Sequence, residues 1–387
     1  MDSHGPNDIG ETDSWTNVRT LRLAARPTAV FEDDGRAVGR ARRSPRTAEL
    51  FPRNSSRPAS PLRWDMASPG FGCDGQSMTS PTDLDLLREL EPVAAANIDR
   101  HLGLAAEWMP HEYVPWSLGR DFDTLPWEPE QSALSDVAQI AFEVNLLTED
   151  NLPSYHREIA SAYGRDGAWG TWVGRWTAEE GRHAIAMRDY LMVTRGVDPV
   201  ALERGRMHQM ELGYDSGNKS PLRVMAYVTI QELATRISHR NTGRFTQEPV
   251  AEKLLARIAA DENLHMIFYR NLVTAALELA PDQTVLAIRD EVLNFDMPGT
   301  GILDFKSKAR QIADAGIYNL RVHHDEVVTP VLRQWQFFAL EGLGGEAEQA
   351  RAEVASFLEG LDAFATLQEE KRAARAARAT SELAAQA

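Results

Sequence analysis

Twice in this 387-residue chain a glutamate is followed, about one helix length later, by a Glu-x-x-His run. Glu149 precedes Glu180 by 31 residues and His183 closes the first unit; Glu232 precedes Glu262 by 30 residues and His265 closes the second. Residues i and i+3 share a helix face, so each Glu-x-x-His pair can aim a carboxylate and an imidazole at one point. A helix packed antiparallel to it brings the single glutamate to the same depth. Two such pairs facing each other surround one cavity with four carboxylates and two imidazoles. Two divalent ions then balance four negative charges; without them the acids repel and must take up protons or water. Oxygen and imidazole donors suit iron or manganese, and the lone Cys73 rules out zinc-finger and iron–sulfur cages.

The rest of the sequence fits that frame. From Pro81 onward apolar residues recur at a period near 3.6, and no alternating strand pattern persists. Helices are expected at about 83–104, 132–164, 168–195, 220–245, 248–280, 282–295, 304–321, 323–341 and 345–365. The fold class is therefore all-α, a ferritin-like di-iron or di-manganese four-helix bundle with additional packed helices. Residues 1–80 hold 7 of the 20 prolines and no sustained apolar period, and read as a disordered extension. A transit peptide is disfavoured by its ten acidic residues, and a start placed too far upstream fits as well, since Met66 and Met78 precede the organised part. Residues 81–366 form the folded domain. Residues 367–387 favour helix by propensity but lack an apolar face, and read as a solvated tail.

The extension carries 11 Arg against 10 Asp and Glu, so the formal charge of −16 resides in the folded part. A surface this negative disfavours nucleic acid. No apolar run is long enough to span a membrane and no secretory signal is present, which gives a cytoplasmic location by default.

Four segments, LLTEDNLPSYH (146–156), WVGRWTAEEGRHAIAMRDYL (172–191), IQELATRISHRNTGR (230–244) and IAADENLHMIFY (258–269), resemble the soluble acyl-[acyl carrier protein] desaturases of plants and actinobacteria. The likeness runs from about residue 83 into the 330s. It implies a homodimeric bundle with an oxo-bridged pair of Fe ions. The implied enzyme inserts a cis double bond into a saturated chain carried on acyl carrier protein, using O2 and reduced ferredoxin. The family's metal ligands fall on Glu149, Glu180, His183, Glu232, Glu262 and His265. Thr235 matches a threonine near the oxygen-binding side, and Asp261, Trp176 and Trp108 match residues around the metals linked to electron delivery. Thr235 equally fits a helical threonine bonded to a carbonyl, the two tryptophans fit core packing, and Asp261 fits a cap or a solvated acid. Gly181, Leu264 and Asp150 depart from the plant pattern, which bears on redox tuning and substrate register.

Rival readings are another di-iron oxidase or monooxygenase, a radical subunit of ribonucleotide reductase, an iron store, and a bundle that no longer turns over. The radical subunit needs a tyrosine beside the first ligand. On a continuous helix Tyr155, six residues after Glu149, turns away from the ligand face.

Overall fold

The computed structural model describes residues 81–386. Among them every regular element is helical. The reading of residues 1–80 as a disordered extension, and Cys73 with it, lies outside the described residues.

Helix boundaries follow local chemistry. Helix α1 (Asp83–Leu104) opens on a reciprocal cap between Thr82 and Asp85. Ser135 caps α2 (Asp136–Asp150). After α3 (Leu152–Tyr163) and α4 (Gly167–Val193), helices α5 (Pro199–Leu212), α6 (Pro221–Thr246), α7 (Pro249–Leu279) and α8 (Pro281–Leu293) each place proline in the first turn, where its missing N–H costs nothing. Gly164 ends α3 at φ 88°, a conformation that a Cβ would strain. The chain continues through α9 (Phe305–Asp314), α10 (Leu320–Val322), a π-helical segment (His323–Val328), α11 (Thr329–Gln334) and α12 (Gly345–Gln386).

The core bundle is α2, α4, α6 and α7. Helices α6 and α7 are joined by Gln247 and Glu248 alone, and so return on each other. Along α4, Trp172, Val173 and Trp176 belong to one apolar cluster and Ala186, Met187, Tyr190 and Leu191 to another. Along α7 the order reverses, with Leu254, Leu255 and Ile258 in the second cluster and Phe268, Tyr269 and Leu272 in the first. The two helices therefore run in opposite directions, and their acids and histidines form a polar belt between two apolar layers.

Several expectations differ from the structure, among them the helix expected over 304–321, which stops at Asp314, and the one expected over 323–341, which opens as the π segment and stops at Gln334. The stretch 132–164 is two helices, broken at the fully buried Asn151 because Pro153 starts a new first turn. Residues 199–212, which fall in none of the expected helices, form α5. Asp198 accepts from the Val200 N–H and Pro199 follows, but the buried stripe is only Leu202, Gly205 and Gln209, too narrow to register as a period. The last helix continues through 367–386, where side chains of known exposure are mostly solvated.

His323, in the π segment, is buried and stacks on Phe295, with ring centroids 5.0 Å apart. Burial, with His324 beside it, depresses its pKa from 6.5 to about 3. Below pH 6.5 the unfolded chain binds a proton that the folded chain refuses until about pH 3. Stability is therefore intact above pH 6.5 and falls through that window. Urea midpoints of metal-free protein are expected to drop between pH 7 and pH 4, less steeply in His323→Phe.

Candidate metal centre

All six residues expected from spacing converge. Glu149 comes from α2, Glu180 and His183 from α4, Glu232 from α6, and Glu262 and His265 from α7; none is more than 6% exposed. Their donor atoms form two overlapping groups, each within a 4.8 Å span: Glu149, Glu180, His183 and Glu262, and Glu180, Glu232, Glu262 and His265.

Glu180 and Glu262 belong to both groups, one oxygen to each side. Glu180 sets Oε2 3.4 Å from His183 Nδ1 and Oε1 2.7 Å from His265 Nδ1. Glu262 sets Oε1 3.3 Å from His183 Nδ1 and Oε2 3.8 Å from His265 Nδ1. Were two cations bound here, Glu180 and Glu262 could each donate to both, Glu149 and His183 to one, and Glu232 and His265 to the other.

The donor set fits a pair of hard or borderline cations. Buried polar atoms are ordinarily hydrogen-bonded, yet Glu180 Oε1, Glu232 Oε2, Glu262 Oε1, His183 Nδ1 and His265 Nδ1 are buried and, close as they lie to one another, make no well-aligned hydrogen bond. By the protein's own charges alone, burial and then the neighbouring Glu180 and Glu232 push Glu262 well above the usual carboxylic range. Burial opposes charge on His183 and His265, but the facing carboxylates outweigh it and raise both. Protons thus settle where the four acids call for positive charge.

The outer nitrogens of the two histidines are held crosswise. Asp261, one residue before Glu262, lies 3.5 Å from His183 Nε2, and Glu179, one residue before Glu180, lies 2.9 Å from His265 Nε2. Each orienting acid is itself tied down. Trp108 Nε1 donates to Asp261 at 2.7 Å and His101 Nε2 meets Glu179 at 2.9 Å. Arg182 lies 3.2 Å from Asp261 and 3.6 Å from Glu179, while Arg257 pairs with Asp261 and Arg175 with Glu179. Burial alone would raise Asp261; hydrogen bonds from His183 and Trp108 and the charges of His183 and Arg257 bring it to about 2. Such outer partners fix imidazole orientation.

Spacing overlooked Glu179, His101 and His239. The signal for Glu179 was present, since both units read acid-Glu-x-x-His and only Asp261 had been singled out. His239, two turns after Glu232, places Nε2 2.9 Å from Glu149 Oε1. Trp176 donates to Glu232 Oε1 at 3.1 Å. The Thr235 hydroxyl donates to the carbonyls of Gln231 and Glu232, the backbone-bonded alternative, while its side chain also faces a cleft. Asp150 is turned to an ion pair with Arg188, outside the ligand groups.

Two clefts meet at the centre, sharing Thr148 and Glu149. The first, with about 530 Å³ between atoms including its open end, is walled by Thr235, His239, Met297, Phe305 and Ile312. The second, about 630 Å³ on the same measure, is walled by Tyr155, Trp176, Glu180, Tyr227 and Val228. Tyr155 therefore stands beside the site after all, because the break at Asn151 voids the continuous-helix rotation that had turned it away.

The chain and its fold have known counterparts. A Mycobacterium tuberculosis protein named as the acyl-[acyl-carrier-protein] desaturase DesA1 is 51% identical over 292 residues, 73% of this chain and 86% of its own. The chloroplastic palmitoyl-[acyl-carrier-protein] 4-desaturase of Coriandrum sativum is 29% identical over 324 residues, 77% of this chain and 80% of its own. The X-ray structure of the acyl-ACP desaturase DesA2 from Mycobacterium tuberculosis superposes with a TM-score of 0.56 at 34% identity, covering 68% of this chain and 98% of that one, and has the expected ferritin-like helical fold. The fatty acid desaturase family model matches residues 82–384, and this chain belongs to that family.

Proposed function

We propose that the protein is an acyl-[acyl carrier protein] desaturase. In this reading it binds two Fe ions through Glu149, Glu180, His183, Glu232, Glu262 and His265, and uses O2 and reduced ferredoxin to insert a cis double bond. The observation that carries this reading is the pair of clefts that share Glu149: two mostly apolar hollows border a buried cage of four carboxylates and two imidazoles. A di-iron centre supplies O2-dependent cleavage of an unactivated C–H bond, which no side-chain acid or base can perform.

The chain's own residues do the remainder. Apolar walls from Ile312, Val228 and Tyr227 seat the acyl chain and keep water from the reacting carbons. Glu179 and Asp261 hold the two imidazoles in register, and His239 holds Glu149. Two adjacent methylenes each lose a hydrogen, and with O2, two electrons and two protons the balance is one alkene and two waters. Thr235, Trp176 and Trp108 are assigned supporting roles beside the cage, and the protein is assigned a homodimeric state and a cytoplasmic location. Among the described residues no helix is long and apolar enough to cross a membrane.

The test is reconstitution with stearoyl- and palmitoyl-acyl carrier protein, ferredoxin, ferredoxin reductase and O2. An alkene retained on the carrier is expected. Hydroxylation of a free hydrocarbon with no change to carrier thioesters would transfer the protein to the monooxygenase class.

A further inference from the structure

The outer wall of the first cleft is a helix with two unlike sides. Helix α9 turns Phe305, Ala309 and Ile312 into the cleft, positions spanning about 60° of helix circumference at 100° per residue. Lys306 and Arg310 stand roughly 100–140° round from Phe305, and both are exposed. Leu303, just before the helix, is 48% exposed.

The far part of α12 adds to this surface. Arg372 donates to the Ala313 carbonyl at 2.6 Å, a cation at the C-terminal end of α9 where the helix dipole favours it. Arg375 shares a surface cleft with Asp314 and Gly316, and Lys371, Arg375 and Arg378 are exposed. Asp304, Asp314 and Glu370 oppose these cations. Glu369 lies 3.5 Å from Arg321, and Lys308, on the other flank of α9, is matched by Glu143 at 2.8 Å. The patch is thus locally basic in a chain of formal charge −16.

We propose that the exposed side of α9 and the Arg-rich end of α12 form the docking surface for the acyl carrier protein, presenting its acyl chain to the first cleft. The inference rests on the function proposed above. Carrier proteins of this class are small and acidic, so a surface of this net charge repels them, and encounter is steered to a face where the local sign reverses. That face lies one helix thickness from the cleft, within reach of a flexible thioester tether.

The test is titration of the full-length, iron-loaded protein with stearoyl-acyl carrier protein at low and physiological salt. K306E/R310E/R375E is expected to weaken Kd by about tenfold or more, to flatten its salt dependence, and to raise KM with little change in kcat. K306Q/R310Q should fall between, and R88E on α1 should match the parent. Iron content and melting temperature are read alongside; if the triple variant does not fold, the glutamine pair decides. Unchanged Kd and salt dependence in variants of a parent that binds and desaturates the carrier thioester would overturn the docking surface and leave the enzyme assignment standing. A parent that neither binds nor modifies the thioester would overturn both.

Discussion

Replacing Glu262 by alanine is expected to strip at least one iron from the centre while leaving the bundle folded. Glu262 is one of two carboxylates that reach both imidazoles, so its loss removes a donor from each half at once. Iron should fall from two per chain to one or fewer. Acyl turnover should drop by about a thousandfold or more, because displacement of a reacting group by 1 Å alone costs about a hundredfold. The helix should survive. Alanine is the best helix former, and the substitution deletes an acid that burial, Glu180 and Glu232 already disfavour in its charged form. Metal-free Glu262→Ala should therefore melt within about 2 °C of the metal-free parent, a shift worth roughly 1 kcal/mol or less. Two irons per chain in the variant would remove Glu262 from the ligand set.

Trp172→Ala should do the reverse, costing fold stability first and metal second. Trp172 is fully buried, stacks on Phe268 with ring centroids 3.6 Å apart, and meets His101 and His265 edge-on at 5.1 and 6.0 Å. Truncating a core aromatic of this kind costs about 3–5 kcal/mol, in transfer free energy and in the cavity left behind. Since the same ring backs the histidine pair on Glu179, iron should also dissociate faster. Urea unfolding of metal-free protein reads the first effect and chelator competition the second. A loss under about 1 kcal/mol would mean that the apolar layer beside the centre does not support it.

The ligand cage was legible because its chemistry forces a spacing. A carboxylate and an imidazole that share a metal must sit one turn apart, and the prolines at 221, 249 and 281 mark where the helices that carry them begin or end. What escaped was set by tertiary packing. His101 sits in the last turn of α1 and meets Glu179 across 78 positions of sequence, so no local period points to it. Asn151 breaks a helix whose apolar pattern reads as continuous, and that break delivers Tyr155 to the second cleft. Helix α5 buries too few side chains to announce itself. Asp261 and Glu179 differ only in which was singled out. Each serves the histidine of the opposite unit, a crossing that becomes visible only when the four helices are assembled.

The most direct test of the account is an anomalous difference map at the iron edge from crystals of the iron-loaded protein. Two peaks per chain are predicted, one against Glu149 and His183, the other against Glu232 and His265, with Glu180 and Glu262 touching both. A single peak, a peak at His101 and Glu179 in their place, or ligand side chains turned away from the bundle axis would contradict it.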